Sequence, residues 1–237
     1  MESGDEKVSK WRIDLANLKS WFTLVPIIYV SFLILVILLD ESILLASYNE
    51  TAIFPLIVIL SVLFFQKEFG GSSMEVIATF PISMTGMWLR KMFLTLFTFV
   101  CFHWMVVQVF MLMYPKTVSS YFPYDGGESK TIIMDYGQLL FQIFPAALLL
   151  STCTICAMIL SKRLYVGLIF GFGVWMIDVL SSGSIFTLFT LHTVYLPKGS
   201  FFLYNRLALL SISGIFIGLS LYMIRKRSYW IVSDEFE

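Results

Sequence analysis

The residues of this sequence that could carry out chemistry are few and widely spaced. His103 and His192 have no partner at the spacing of metal ligands, so both are interpreted as structural histidines. Cys153 and Cys156 match C-x-x-C, but they lie within an apolar run, which favours a buried pair over a redox or zinc site. The sequence contains neither a G-x-x-x-x-G-K-[ST] phosphate-binding loop nor an H-E-x-x-H motif. We therefore predict no catalytic residue, no metal site and no enzymatic activity in the chain itself.

Asp178 is the acidic residue that lies well inside a predicted membrane segment. Ionisable residues at such positions are costly and are candidates for a substrate pathway. Asp178 lies about 21 Å along a predicted helix that begins at Leu164, and the polar break 181–184 follows it. It is therefore a candidate pathway or gate residue. In a second interpretation, which the adjacent break favours, its carboxylate caps or braces that break.

The composition is that of a membrane protein. Of the 237 residues, 58% are hydrophobic and the mean hydropathy is +0.84, whereas soluble domains are about 45–50% apolar. The 16 basic and 16 acidic residues give a net charge of zero. Nothing in this balance indicates a nucleic-acid partner, and none is expected. The polar, mixed-charge residues 1–19 do not resemble a cleavable signal peptide.

Six apolar segments are predicted to span the membrane, and the second of them continues as a helix to Glu68. They comprise residues 21–39, 52–65, 92–114, 137–160, 164–180 and 202–224. Ahead of the first span, residues 7–20 have apolar side chains at steps of three and four, which predicts an amphipathic helix along the membrane surface. Before the last span, residues 185–196 are apolar but too few to cross, so 181–199 is interpreted as a re-entrant or interfacial segment.

The predicted fold class is therefore an all-α integral membrane protein, with residues 1–237 forming a single transmembrane domain. The positive-inside rule gives its orientation. Four basic residues precede the first span, three lie in 66–91, two in the turn 162–163 and three in 225–227, so twelve of the sixteen fall on one side. Both termini and the loop 66–91 are accordingly predicted to be cytoplasmic, in a multi-pass protein of the cell membrane.

The polar loop 66–91 contains clear signals for a short helix between the second and third spans. Gly70 and Gly71 interrupt the preceding helix. Ser72 and Glu75 form an S-x-x-E capping box, and Pro81 disfavours continuation beyond Phe80. The pattern predicts a helix of about two turns near residues 73–79. Such a helix is either a docking surface or a simple interfacial connection between two spans.

The same loop resembles the coupling region of ABC-2-type transporter permeases, the small six-span subunits of one class of ABC exporter. That region has an acidic residue, a Gly-Ser/Thr-x-Glu sequence, a short apolar helix, a Pro with Ser close behind, and a basic residue that enters the third span. The matching positions are Glu68, Gly71, Ser72, Glu75, Ile77, Thr79, Pro81, Ser83 and Lys91. The sequence QKEFGGSS departs from the denser charged run common in the family. The amphipathic helix, six spans and re-entrant segment also resemble the family.

This resemblance implies a permease subunit that pairs with a second permease, identical or related, and with two cytosolic ABC ATPase subunits. ATP and Mg would be bound by the ATPase, and this chain would bind no cofactor and would contact membrane lipids. The short helix would act as a cytoplasmic coupling helix in a cleft of the ATPase, with Glu68 and Glu75 as polar contacts. The residues implied in ATPase binding are Glu68, Gly71, Ser72, Met74, Glu75, Ile77, Thr79, Phe80 and Pro81.

By analogy with the family, the predicted function is export of a hydrophobic or amphipathic substrate, such as a peptide, an antibiotic or a lipid-like molecule, from the cytoplasm or the inner leaflet. Two other classes stay open. One is an ATP-independent secondary carrier or channel, which would transport its substrate when purified alone. The other is a membrane scaffold that docks a cytosolic partner without moving a substrate.

Overall fold

The computed structural model describes most of the apolar part of the chain. The described residues are 21–39, 45–69, 73–80, 83–114, 119–120, 130–131, 136–196 and 201–230. The predicted amphipathic helix 7–20 lies outside them, as do Gly71, Ser72 and Pro81 of the predicted coupling loop and residues 197–199 of the predicted re-entrant segment. The structural statements below concern the described residues.

The described residues are mainly helical, which confirms the all-α class. The helices are α1 (Leu24–Leu39), α2 (Leu45–Thr51), α3 (Phe54–Phe69), α4 (Ser73–Thr79), α5 (Met84–Met113), α6 (Tyr136–Ser161), α7 (Leu164–Leu180) and α8 (Phe201–Arg225). Short 3-10 turns occur at Trp21–Thr23, Thr187–Phe189, Thr193–Tyr195 and Arg227–Tyr229. Two-residue strands, Ser119–Ser120 and Lys130–Thr131, pair antiparallel between α5 and α6.

Within the described part of the chain, four helices are long and apolar enough to cross a membrane, so the chain is a membrane protein. They are the continuous stretch Tyr48–Phe69, which joins α2 to α3, and the helices α5, α6 and α8. Helices α1 and α7 coincide with the other two predicted spans but have 16 and 17 residues. Each predicted span therefore corresponds to an apolar helix, and four of them reach membrane-crossing length.

Two of the helices extend beyond the predicted spans that they contain. The second membrane helix begins at Tyr48 instead of residue 52, because the polar residues Asn49 and Glu50 are buried against other helices and continue the helix. The third begins at Met84 instead of residue 92, because Lys91 is also buried and paired within the bundle. Ionisable residues in membrane segments are usually paired inside the protein, so a polar residue does not by itself mark the end of a helix.

Helices α3 and α6 form the centre of the bundle. In an apolar 18-residue stretch of Tyr48–Phe69, which includes most of α3, 78% is buried, and the same share of such a stretch is buried in α6, against 28% in α5 and 22% in α8. Helix α3 packs against α5, α6 and α7, and α6 packs against α7 and α8. The outer helices α1, α5, α7 and α8 therefore present broad apolar faces to their surroundings, as expected of helices in contact with lipid.

The chain has two Gly-x-x-x-Gly pairs, Gly167 with Gly171 in α7 and Gly214 with Gly218 in α8. The first pair is required for close packing, whereas the second is not. A Cβ added to Gly171 in α7 would contact Thr154 of α6 and lie 2.8 Å from Cγ1 of Val58 in α3. A Cβ added to Gly218 in α8 would meet no described atom within 4 Å. Gly171 therefore lets three helices approach one another, and Gly218 lies on an open face.

Replacing Gly171 with Ala is expected to lower the free energy of unfolding by about 1–3 kcal/mol, because overpacking forces the neighbouring side chains to shift. Gly218→Ala is the matched control, and it should be neutral or stabilising by up to about 1 kcal/mol through its higher helix propensity. Denaturation of the purified protein in mild detergent measures both. Equal effects of the two variants would contradict the packing assignment.

Candidate functional site

Helix α4 is fastened to one end of the bundle by one face and leaves the opposite face open. Met74 and Ala78, one helical turn apart, are buried. Val76 and Phe80, also one turn apart, are 56% and 52% exposed. The structure thus contains a helix with the predicted bounds, and this helix presents an apolar pair outward. We call the end of the bundle that carries α4 the coupling end.

The remaining predicted contact residues of α4 differ in exposure. Glu75 is partly exposed, whereas Ile77 is partly buried against the core. Thr79 is exposed, and its hydroxyl donates a hydrogen bond to the Val76 carbonyl at 2.7 Å. The outward surface of α4 therefore includes Glu75, Val76, Thr79 and Phe80. Val76 was not among the predicted contact residues, although its spacing of four from Phe80 indicates a shared face.

Glu68 lies inside the bundle, beside the start of the coupling loop. Its carboxylate is 2.5 Å from the Lys91 ammonium, which also donates to the Phe64 carbonyl at 2.8 Å. Glu68 is 7% exposed and Lys91 is 1% exposed. This buried ion pair joins the end of α3 to α5, the helices that precede and follow α4 in the chain. The contact with an ATPase that the resemblance implies for Glu68 stays a prediction.

The turn that follows α8 also holds α4. Arg227 donates a hydrogen bond to the Ala78 carbonyl at 3.4 Å, and the Arg225 Nε lies 3.5 Å from the Thr85 hydroxyl at the start of α5. The rings of Phe69 and Trp230 pack with their centres 5.8 Å apart. Helix α4 therefore packs against α3 and is tied by Arg227 to the turn after α8, and the other two contacts join that end of the chain to α5 and α3.

A buried network of charged and polar side chains lies at the opposite end of the bundle, centred on Glu50. The Glu50 carboxylate, fully buried, accepts hydrogen bonds from the Thr193 backbone N–H at 2.9 Å and the Gln142 amide at 2.8 Å. Arg206, also fully buried, places Nη2 3.5 Å from Glu50 and donates to the Leu191 carbonyl. The network joins α2, α6 and α8 to the segment 181–196.

Asp178 belongs to the same region and holds the same segment from the side of α7. Its Oδ2 atom accepts hydrogen bonds from the Thr190 hydroxyl at 3.0 Å and the Leu191 N–H at 2.8 Å, and lies 2.8 Å from His192 Nδ1. From α8, the Asn205 amide donates to the Thr190 carbonyl at 2.9 Å. These are the contacts of a bracing carboxylate, and the role of Asp178 as a gate stays a prediction.

His103, the other histidine of the chain, belongs to a further polar cluster. His103 Nε2 lies 2.7 Å from the Asn49 side-chain oxygen, and Nδ1 lies 3.3 Å from the Tyr136 hydroxyl. The Asn49 amide also donates to the Leu139 carbonyl at 3.3 Å. Asn49 begins an N-x-T glycosylation pattern, but the residue is 1% exposed and its side chain makes the hydrogen bonds to His103 and Leu139. The folded protein therefore does not present it to a glycan-transferring enzyme.

An apolar cleft of about 270 Å³ lies next to the segment 181–196. Helices α6, α7 and α8 line it, together with Phe186, Phe189 and Leu191 of the segment. The other lining residues are Leu149, Cys153, Phe170, Val174, Ile212 and Phe216. Within the described residues, no group of three His, Cys, Asp or Glu side chains is placed to hold a metal ion. The cleft is suited to hydrocarbon.

Sequence reasoning identified Asp178 and the helix α4, but it missed most of the buried network. The missed residues are Asn49, Glu50, Gln142, Thr190, Thr193, Asn205 and Arg206. Gln142 and Arg206 lie within predicted spans, and their polarity at those positions was a signal for buried contacts. Comparisons with known proteins add no assignment, since no family model, curated protein or solved structure matches the chain.

Proposed function

We propose that this chain is the transmembrane permease subunit of an ATP-driven exporter of the ABC-2 type. In this proposal α4 is the coupling helix, and a separate cytosolic ATPase subunit binds its exposed surface. The substrate is a hydrophobic or amphipathic molecule, such as a peptide antibiotic or a lipid-like compound. A second permease subunit, identical or related, completes the transporter.

The observation that carries the proposal is the combination of anchoring and exposure in α4. Its buried face, Met74 and Ala78, is fixed to the bundle, and its outward face presents Val76 and Phe80. An interfacial connector needs no fixed attachment to the bundle, whereas a helix that transmits force does. The packing of α4 against α3 and the Arg227 contact to Ala78 supply that attachment, and the ion pair Glu68–Lys91 joins α3 to α5 beside it.

The opposite end of the bundle is consistent with the same function. The apolar cleft offers a surface for hydrocarbon, and Phe186, Phe189 and Leu191 of the segment 181–196 line part of it. Buried hydrogen bonds from Glu50 and Asp178 fix that segment. Movement of α8, which contacts α4 at one end through its C-terminal turn and the segment at the other through Arg206, would link ATPase closure to the cleft.

The double variant Val76→Ser, Phe80→Ser is expected to weaken binding of the ATPase subunit by about thirtyfold or more, because two exposed apolar contacts are lost. ATP-dependent substrate transport should fall with it. Binding of the purified ATPase to the permease in nanodiscs, followed by transport in vesicles, measures both quantities.

The matched control is Ile185→Ser with Val194→Ser, which alters two apolar residues of similar exposure, 66% and 56%, at the opposite end. This control should bind the ATPase normally. If the α4 variant binds the ATPase and transports like the unmodified chain, α4 is not a coupling helix. Transport by the purified chain alone, driven by an ion gradient, would instead establish a secondary carrier.

A further inference from the structure

Two turns that are distant in sequence meet at the coupling end, on the side formed by α6, α7 and α8. The Tyr229 hydroxyl, in the turn after α8, donates a hydrogen bond to the Leu160 carbonyl near the end of α6 at 2.7 Å. Burial raises the pKa of Tyr229, which favours the protonated hydroxyl that donates this bond. The Lys162 ammonium lies 4.4 Å from the centre of the Tyr229 ring. These contacts place the α6–α7 turn beside the C-terminal turn.

The joined turns carry an excess of positive charge. Lys162, Arg163 and Lys226 are exposed, and none of the carboxylates that the structure describes pairs with any of them. Lys162 adopts a left-handed backbone conformation with φ 56°, which is uncommon for a residue with a side chain. Arg163 is held by a 2.5 Å contact with the Tyr165 hydroxyl. Contacts with aromatic side chains thus position Lys162 and Arg163, and all three cations are exposed.

Exposed apolar and aromatic side chains adjoin these cations on the same helices. Leu160 is 49% exposed, Tyr165 is 51% exposed, and Tyr222, one turn before Lys226, is 64% exposed. Tyrosines at such positions are typical of the boundary between headgroups and hydrocarbon. A ligand that satisfies both the cations and this surface carries an anionic group attached to hydrocarbon.

We propose that the α6–α7 turn and the turn after α8 together form a binding site for the headgroup of an anionic phospholipid. The phosphate lies among Lys162, Arg163 and Lys226, and the acyl chains lie along the exposed sides of α7 and α8. Charge complementarity selects an anionic lipid over a zwitterionic one. This assignment requires only that the chain lies in a membrane, and it is independent of the proposed transport function.

The test is lipid binding by the full chain in detergent, followed by native mass spectrometry with phosphatidylglycerol and, separately, phosphatidylcholine. Lys162→Gln is expected to weaken phosphatidylglycerol binding about fivefold, since each basic residue near a membrane surface contributes about 1 kcal/mol. The double variant Lys162→Gln, Arg163→Gln should weaken it by more than tenfold. Lys162→Arg, which keeps the charge, should bind like the unmodified chain.

Lys67→Gln is the matched control, because Lys67 is an exposed lysine at the coupling end on a different helix, α3. It should leave phosphatidylglycerol binding unchanged, and no variant should alter phosphatidylcholine binding. Equal losses for Lys67→Gln and Lys162→Gln would overturn the site in favour of diffuse attraction. Displacement of the lipid by millimolar inorganic phosphate would show a free-anion site, and protection of Lys162 by a bound acidic protein, with no lipid preference, would show a protein interface. Either result overturns the lipid assignment.

Discussion

Replacing Arg206 with Met should lower the free energy of unfolding by about 3–5 kcal/mol, because it leaves the Glu50 carboxylate buried without its cationic partner. Both side chains are fully buried, and Glu50 is surrounded by Gln142 and the backbone N–H of Thr193. The variant also removes the donor to the Leu191 carbonyl. Losing a buried charge partner therefore loosens α8 from the segment 181–196 as well as destabilising the bundle.

Thermal or chemical denaturation in mild detergent measures this loss. Arg225→Met is the matched control, since Arg225 lies on the same helix but is exposed, and its effect should be within about 0.5 kcal/mol. Glu50→Gln combined with Arg206→Met should recover much of the stability, because both charges are then absent. A loss below 1 kcal/mol in Arg206→Met, or no recovery in the double variant, would refute the buried pair.

Asp178→Ala is expected to release the segment 181–196 from the bundle. The variant removes the acceptor for the Thr190 hydroxyl, the Leu191 N–H and His192. Hydrogen bonds to a charged group contribute about 1.5–3 kcal/mol each, so the opening free energy of the segment should fall by at least about 3 kcal/mol. Amide hydrogen exchange at residues 187–195 should then accelerate roughly a hundredfold.

Ser184→Ala is the control within the same segment, since its hydroxyl makes an exposed hydrogen bond to the Ser181 carbonyl, and it should change exchange little. Asp178→Asn keeps an acceptor oxygen and should have an intermediate effect. Neither Asp178 variant should weaken ATPase binding, because α4 lies at the other end of the bundle. Unchanged exchange in Asp178→Ala would contradict the bracing role, and loss of ATPase binding would contradict the separation of the two ends.

Local signals in the sequence were sufficient to predict where the long helices and α4 lie. The S-x-x-E sequence and Pro81 predicted a helix over residues 73–79, and the structure has α4 at Ser73–Thr79. Each long apolar run became a helix. The boundary at Tyr48 could not be predicted in the same way, because Glu50 is buried by the backbone of Thr193 and by Arg206, and sequence spacing does not reveal such distant partners.

The candidate sites could likewise be predicted only where the signal was local in the sequence. The polar break after Asp178 was visible in the sequence, and it indicated a bracing carboxylate, but the donors Thr190, Leu191 and His192 follow only from the folded segment. Glu68 was assigned to the coupling surface by resemblance, whereas the fold pairs it with Lys91 inside the bundle. Which face of α4 is open likewise depends on the packing of Met74 and Ala78.

The most direct test of the transporter proposal is purification of the chain from its native membrane in mild detergent, with mass spectrometry of every subunit that remains bound. The proposal predicts a soluble subunit with a G-x-x-x-x-G-K-[ST] loop, which the Val76→Ser, Phe80→Ser variant no longer retains. A second permease in the same complex would distinguish a heterodimer from a homodimer. If the unmodified chain is recovered without an ATPase and binds none of the cell's ABC ATPases when these are supplied, the coupling role of α4 is contradicted.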